Sequence, residues 1–172
     1  FVAFLQGCNF DCVACHNPQT IDHTGVGTEA RPVTVGELLG EIRRAAPFIR
    51  GVTVSGGEAT QQPTFLLALL SALADDPELA SLTRLIDSNG ACGRSLWERL
   101  APVMTGAMID LKSLDPTIHR AMTGQPNDRV LDSIVQLSRL DRLYEVRLLL
   151  LSGVNDDRDL IRRTGAWLAD VD

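Results

Sequence analysis

The chain lacks the features of an exported or membrane-embedded protein. No apolar run reaches the roughly 20 residues that a membrane-spanning helix needs. Nothing in it indicates secretion, so its four cysteines are not expected to form disulfides. Basic residues are in deficit. Sixteen Lys and Arg against 22 Asp and Glu leave a net charge of −6 and a pI near 5.0. That argues against nucleic acid as the main partner, because phosphate recognition needs a basic face. An initiating methionine is missing too. The chain opens at Phe1, already inside an apolar run, and ends at Asp172 behind a helix, so it reads as a fragment cut at both ends. What is present, 172 residues with 45% hydrophobic content and evenly spread charge, is enough for one globular domain with a real core.

Three of the four cysteines, Cys8, Cys12 and Cys15, share one short loop with Cys-x3-Cys-x2-Cys spacing. They follow Phe1-Val2-Ala3-Phe4-Leu5, which reads as a buried strand. Thiolates packed this closely repel one another unless a metal neutralises them, and soft sulfur favours zinc, copper(I) or an iron–sulfur cluster. A closed zinc site wants four ligands, which His16 could complete. Cys12-Val13-Ala14-Cys15-His16 also has the form of a c-type haem attachment, although that leaves Cys8 unexplained. Either would make a non-catalytic metal-binding or electron-transfer domain. Three local thiolates can instead hold three irons of a cubane and leave the fourth open.

Along the chain, strand and helix signals alternate. Gln19 to Pro32 is a polar loop, in which His23 is a surface residue. Thr34 to Glu37 has the form of a capping box opening a helix that Pro47 ends. A strand over 51–55 precedes Gly56-Gly57-Glu58, and Pro63 suits the first position of the next helix. A third strand over 82–86 leads to Asp87-Ser88-Asn89-Gly90. Ser95 to Glu98 reads as a second capping box. A fourth strand spans 107–112, Asp115-Pro116 starts a helix, and another covers 130–140. A fifth strand is expected over 146–151 and a last helix over 158–168.

Five such alternations predict a parallel sheet wrapped by helices, either a barrel or a doubly wound sheet. Every polar or glycine-rich cluster follows a strand. In a parallel α/β fold those strand ends share one face, where ligands bind. Thiols, glycines and carboxylates are thereby gathered into one site. Gly56 and Gly57 would let a ligand approach the backbone, and Glu58 could accept from a cationic amine. Asp87 and Asp110 would repel unless something positive intervenes, either Lys112 or a hard cation such as sodium or potassium; the ion is the preferred account. Lys112 and Arg147 face the same site, unless they merely pair with Asp110 or Glu145. Cys92 reads as a buried free thiol.

The cysteine spacing, with Gly7-Cys8-Asn9 before it and Cys15-His16-Asn17-Pro18 at its end, resembles the radical S-adenosylmethionine superfamily, and within it the activating enzymes of glycyl radical enzymes. Ser55-Gly56-Gly57-Glu58-Ala59-Thr60 is similar to one branch of them, in which a ferredoxin-like segment often follows the cysteine loop; the short Gln19–Pro32 loop has no cysteines for such clusters. The resemblance runs from Phe4 to about Asp157. It implies a partial (β/α)6 TIM-like barrel, here about five βα units in a single domain spanning 1–172, with an N-terminal segment and the last strand missing. It implies a [4Fe-4S] cluster on Cys8, Cys12 and Cys15 as the catalytic centre. S-adenosylmethionine would be held by Gly56, Gly57, Glu58, Asp87, Ser88, Asp110, Lys112 and Arg147. A monovalent cation (Na+ or K+) would sit on Asp87, Ser88, Met108 and Asp110, with Met108 acting through its backbone oxygen. His16 and Asn17 belong to the motif without being ligands. The implied chemistry is reductive cleavage of S-adenosylmethionine and abstraction of a hydrogen atom from a partner's glycine. The implied setting is an anaerobic, cytoplasmic, monomeric oxidoreductase served by a flavodoxin or ferredoxin. Where the superfamily usually has an aromatic against the adenine, this chain has Ala14, so the adenine contact is expected from the loop after the fifth strand, with Leu150 and Leu151.

Overall fold

The computed structural model describes residues 1–171. Five strands, β1 (Val2–Leu5), β2 (Gly51–Gly56), β3 (Thr83–Ser88), β4 (Gly106–Asp110) and β5 (Leu143–Arg147), form one parallel sheet in the order β1-β2-β3-β4-β5. Six helices intervene or follow: α1 (Val35–Ala45), α2 (Pro63–Asp75), α3 (Arg94–Leu100), α4 (Pro116–Thr123), α5 (Asp128–Arg139) and α6 (Arg158–Ala169). Strand order settles the choice left by the sequence. A doubly wound sheet reverses direction at a switch point. Here each strand is added beside the last, as in a (β/α) barrel, and the result is an incomplete barrel wall.

Side-chain alternation gives this wall two chemistries. One set, Ala3, Val52, Val54, Ile86, Ala107 and Ile109, is buried, and it belongs to a core that includes Leu66, Leu69, Leu70 and Leu73 of α2 and Ile134 and Leu137 of α5. The alternate set, Val2, Phe4, Thr53, Ser55, Asp87, Met108, Asp110 and Arg147, lines a cavity. The first strand is therefore not buried throughout, as its composition suggested: Val2 and Phe4 are 51% and 61% exposed and only Ala3 is buried.

Local signals account for most element ends. The Thr34 hydroxyl accepts from the Glu37 N–H while the Glu37 carboxylate accepts from the Thr34 N–H, completing the capping box of α1. Pro63 is the first residue of α2, and Asp115 caps α4 by accepting from Thr117 and Ile118. Two expectations need correction. The second capping box does not form: α3 begins at Arg94 behind Gly93, with no side-chain cap. Ser95 lies inside the helix, whose formation rests on burying Trp97 and Leu100. β5 lies at Leu143–Arg147 rather than 146–151, because its register pairs Ala107 with Leu143 and Asp110 with Arg147, so it runs out where β4 does. Leu148, Leu149 and Leu150 are exposed beyond it. There the Asn155 side chain accepts from the Leu151 N–H and donates to the Leu149 and Lys112 carbonyls.

Candidate active site

The C-terminal strand ends open on a cavity of about 680 Å³, the size of pocket that holds a small-molecule ligand or cofactor. Three loops build it, and hydrogen bonds tie them together. The cysteine loop after β1 is clamped from one side by the Gly-Gly-Glu segment: the Gly57 N–H donates to the Leu5 carbonyl at 2.8 Å and the Glu58 N–H to the Gly7 carbonyl at 2.8 Å. From the other side α4 holds it, its Thr123 and Met122 carbonyls accepting from Asp11 and Val13 at 3.1 and 2.9 Å. Cys8, Cys12 and Cys15 all line the cavity, together with Ala14, His16 and Asn17. Burial pushes the Cys8 thiol up and the Cys12 thiol up to about 11, where Lys112 pulls it back and the neighbouring thiols and Asp110 push it further. Cys92 does not line the cavity. Its thiol is pushed up to about 12, first by burial and then by the charge of Glu58. Among the described residues, no three His, Cys, Asp or Glu side chains converge as ligands of one ion.

Glu58 is only 1% exposed. One carboxylate oxygen accepts from the Thr60 N–H at 2.9 Å, the Thr60 hydroxyl at 2.6 Å and the Ser88 hydroxyl at 2.8 Å; the other accepts from the Asn89 N–H at 2.6 Å. Burial raises its pKa while those donors lower it, and burial wins. Its carboxylate thus binds β2's end to β3's end within the chain itself. The two glycines have an internal reason as well. A Cβ on Gly56 would lie 2.1 Å from the Leu5 carbonyl oxygen, and one on Gly57 would lie 2.4 Å from the carbonyl oxygens of Gly7 and Thr20.

The opposite wall carries the charges. Arg147 bridges both expected carboxylates, pairing with Asp87 and, at 3.1 Å, with Asp110. Lys112 pairs with the second oxygen of Asp110 at 2.8 Å, and the Ser55 hydroxyl donates to Asp87 at 2.9 Å. Burial works against the Arg147 charge, but Asp110 and Asp87 outweigh it and hold its pKa above the ordinary value. Both carboxylates therefore have a basic partner, Arg147 being shared between them and Lys112 pairing with Asp110. Asp87, Ser88, Met108 and Asp110 all line the cavity, with the Ser88 hydroxyl donating to Glu58 at 2.8 Å. Leu148 and Leu149 line the cavity in place of Leu150 and Leu151, a consequence of the earlier end of β5.

Sequence reasoning missed Phe10 and His119. Phe10, within the cysteine loop, is buried with its ring edge-on to His119, centroids 5.7 Å apart. His119 is fully buried, and neither ring nitrogen has a partner of hydrogen-bonding geometry. Burial lowers its pKa, Lys112 adds to that, and the nearby Ser113 backbone opposes it. The one available signal was an aromatic residue inside an otherwise polar loop. A depressed folded pKa means that the unfolded chain binds the proton more readily, so stability should be intact above the ordinary histidine pKa near 6.5 and fall as pH drops through and below it. Urea midpoints from pH 8 to 5 should show the fall in the parent and a flatter profile in His119→Phe. Identical slopes would mean that His119 does not titrate against burial.

An incomplete parallel barrel, with a thiol loop on one wall and an ion-pair network on the other, is an enzyme scaffold with its site at the strand C-termini. The model of the radical SAM superfamily matches residues 2–163, and the chain belongs to that superfamily. It is 30% identical over 182 aligned positions to a pyruvate formate-lyase-activating enzyme of Staphylococcus aureus, covering all of this chain and 70% of that protein. A domain of a pyruvate-formate lyase-activating enzyme from Bacteroides vulgatus superposes with a TM-score of 0.63 at 29% identity, covering 70% of this chain and 73% of that one. Streptococcus suis SuiB bound to S-adenosylmethionine shares the fold, with a TM-score of 0.71 at 19% identity over 96% of this chain and 36% of that one. Within the superfamily, the chain is closely related to the activating enzymes of glycyl radical enzymes.

Proposed function

We propose that this protein activates a glycyl radical enzyme, using a [4Fe-4S] cluster on Cys8, Cys12 and Cys15 and S-adenosylmethionine in the adjoining cavity. The observation that carries the reading is that the three thiols share one cavity with the Asp110–Arg147–Lys112 ion pairs and the Gly56–Glu58 turn. Three thiols on one loop suit a cubane cluster, in which each thiolate would take its own iron and leave the fourth open. The chemistry the bound group supplies is one-electron reductive cleavage of S-adenosylmethionine, yielding methionine and 5′-deoxyadenosine as a hydrogen atom leaves the partner's glycine.

The chain's own part is placement and charge. Gly56 and Gly57 offer backbone against the ligand's amino-acid end, and Glu58 fixes that turn from behind. Arg147 and Lys112, now paired with Asp87 and Asp110, can share their donors with a ligand carboxylate or ribose. Arg147 also supplies positive charge between Asp87 and Asp110, the carboxylates beside which a sodium or potassium ion would sit. Leu148 and Leu149 take the apolar contact that Ala14 cannot make. The partner is a glycyl radical enzyme, and the electron comes from a flavodoxin or ferredoxin.

Reduced protein with S-adenosylmethionine, free of oxygen, should release 5′-deoxyadenosine, measured by chromatography, and more of it with the partner present. Arg147→Gln should lower the rate at least tenfold, while leaving iron content intact. No 5′-deoxyadenosine above a cluster-free control would sink the assignment.

A further inference from the structure

Asn89 has a place in the site that its motif does not explain. It follows β3, on the far side of the cavity floor from the cysteine loop, yet its side chain reaches Cys8. Its amide nitrogen lies 2.8 Å from Asn9 Oδ1 and 3.9 Å from Cys8 Sγ. Which end of the amide faces the sulfur is fixed independently. The Asn89 side-chain oxygen accepts from the Ala91 N–H at 2.9 Å, so the nitrogen must point the other way, toward Asn9 and Cys8. The Asn89 backbone is fixed too, its N–H donating to Glu58 at 2.6 Å. The residue is 9% exposed, so water competes little for these bonds. The Phe10 N–H approaches the same sulfur at 3.4 Å. Cys8 therefore sits between two N–H donors, one from its own loop and one carried in from β3.

We propose that Asn89 is a positioning residue for the Cys8 thiolate, holding it through an amide N–H and so setting the reduction potential of the iron–sulfur cluster. The inference rests on the cluster assignment above. Donors aimed at a ligating sulfur stabilise the more negative, reduced state of the cluster and raise its potential. The arrangement also links two parts of the site. Glu58 holds Asn89, and Asn89 reaches Cys8, so the turn that would meet the ligand's amino group is joined to the cluster loop by two consecutive contacts.

The test is an EPR-monitored redox titration of reconstituted protein, with iron content and circular dichroism measured on each sample. Asn89→Leu, close in size and without the donor, should shift the midpoint to a more negative value. Asn89→Asp, which puts an acceptor and negative charge at the same place, should shift it further in the same direction. Asn9→Ala removes the amide's other partner but leaves its N–H toward Cys8, and should leave the midpoint at the parent value. A residue that only braced the two loops would move all three variants alike. Loss of iron in Asn89→Leu with an unchanged dichroism spectrum would also support a hold on Cys8. Midpoints and iron content equal to the parent in both Asn89 variants, or an equal shift in Asn9→Ala, overturn the inference while leaving the cluster assignment standing. A parent without iron overturns both.

Discussion

Replacing any one of Cys8, Cys12 and Cys15 with alanine is expected to take the protein from about four irons per chain, the content of one cubane cluster, to nearly none after anaerobic reconstitution. In the proposed cluster each thiol would be one of only three protein ligands, and Cys8, Cys12 and Cys15 all line the cavity, whereas Cys92 does not. Cys92 provides the internal control. It lies outside the cavity lining, with its thiol pushed up to about 12 by burial and then by the charge of Glu58. Cys92→Ala should keep the full iron content, because that thiol does not line the cavity. Iron and acid-labile sulfide assays on all four variants decide the matter. Stoichiometric zinc in protein purified without oxygen, or retention of iron in Cys12→Ala, would count against the cluster.

Gly56→Ala should unfold the protein or cost on the order of 4 kcal/mol, a size confined to a few mechanisms such as backbone strain and overpacking. Two effects coincide. The residue has φ of +125°, a conformation L side chains rarely adopt. Its new Cβ would also meet the Leu5 nitrogen and carbonyl oxygen at 2.2 and 2.1 Å, and backbone cannot rotate away as a side chain can. A loss of about 4 kcal/mol corresponds to a fall in melting temperature of roughly 8–16 °C for a chain of this size. Gly165→Ala is the contrast. It lies within α6, and a methyl group there would meet nothing within 4 Å. It should gain up to about 1 kcal/mol from helix propensity. Equal melting temperatures for Gly56→Ala and the parent would show that Gly56 is free for a ligand alone. The expected loss would mean that the first duty of this glycine is to let β1 and the cysteine loop lie against β2, with ligand access following from that.

The motif residues are legible in the sequence because their chemistry is local. Three thiols within one turn of loop, a Gly-Gly-Glu after a strand, and an aspartate before a proline can be read from the order of residues, whatever the fold around them. The alternation of strand and helix signals is equally plain, since each strand is short and bounded by turn-forming residues. The differences have a common cause. Composition places β5 too late because Leu148 to Leu151 are more apolar than Leu143 to Arg147, while the true boundary follows the β4 register. Ser95 to Glu98 has the spacing of a cap, but burial of Trp97 and Leu100 decides where α3 starts.

By itself, the sequence determined the βα alternation, the cysteine loop and the group of strand-end residues from which the site is drawn. The tertiary structure decided how those residues spend their charges and donors. Glu58 became an internal tie because Thr60, Ser88 and Asn89 saturate it. Asp87 and Asp110 are joined by Arg147, 60 and 37 residues further along the chain. Phe10 rests on His119, and Asn89 reaches Cys8 across the cavity floor. Such pairings depend on strand order and register. These are set by packing the whole sheet against its helices, and no local window of sequence encodes them.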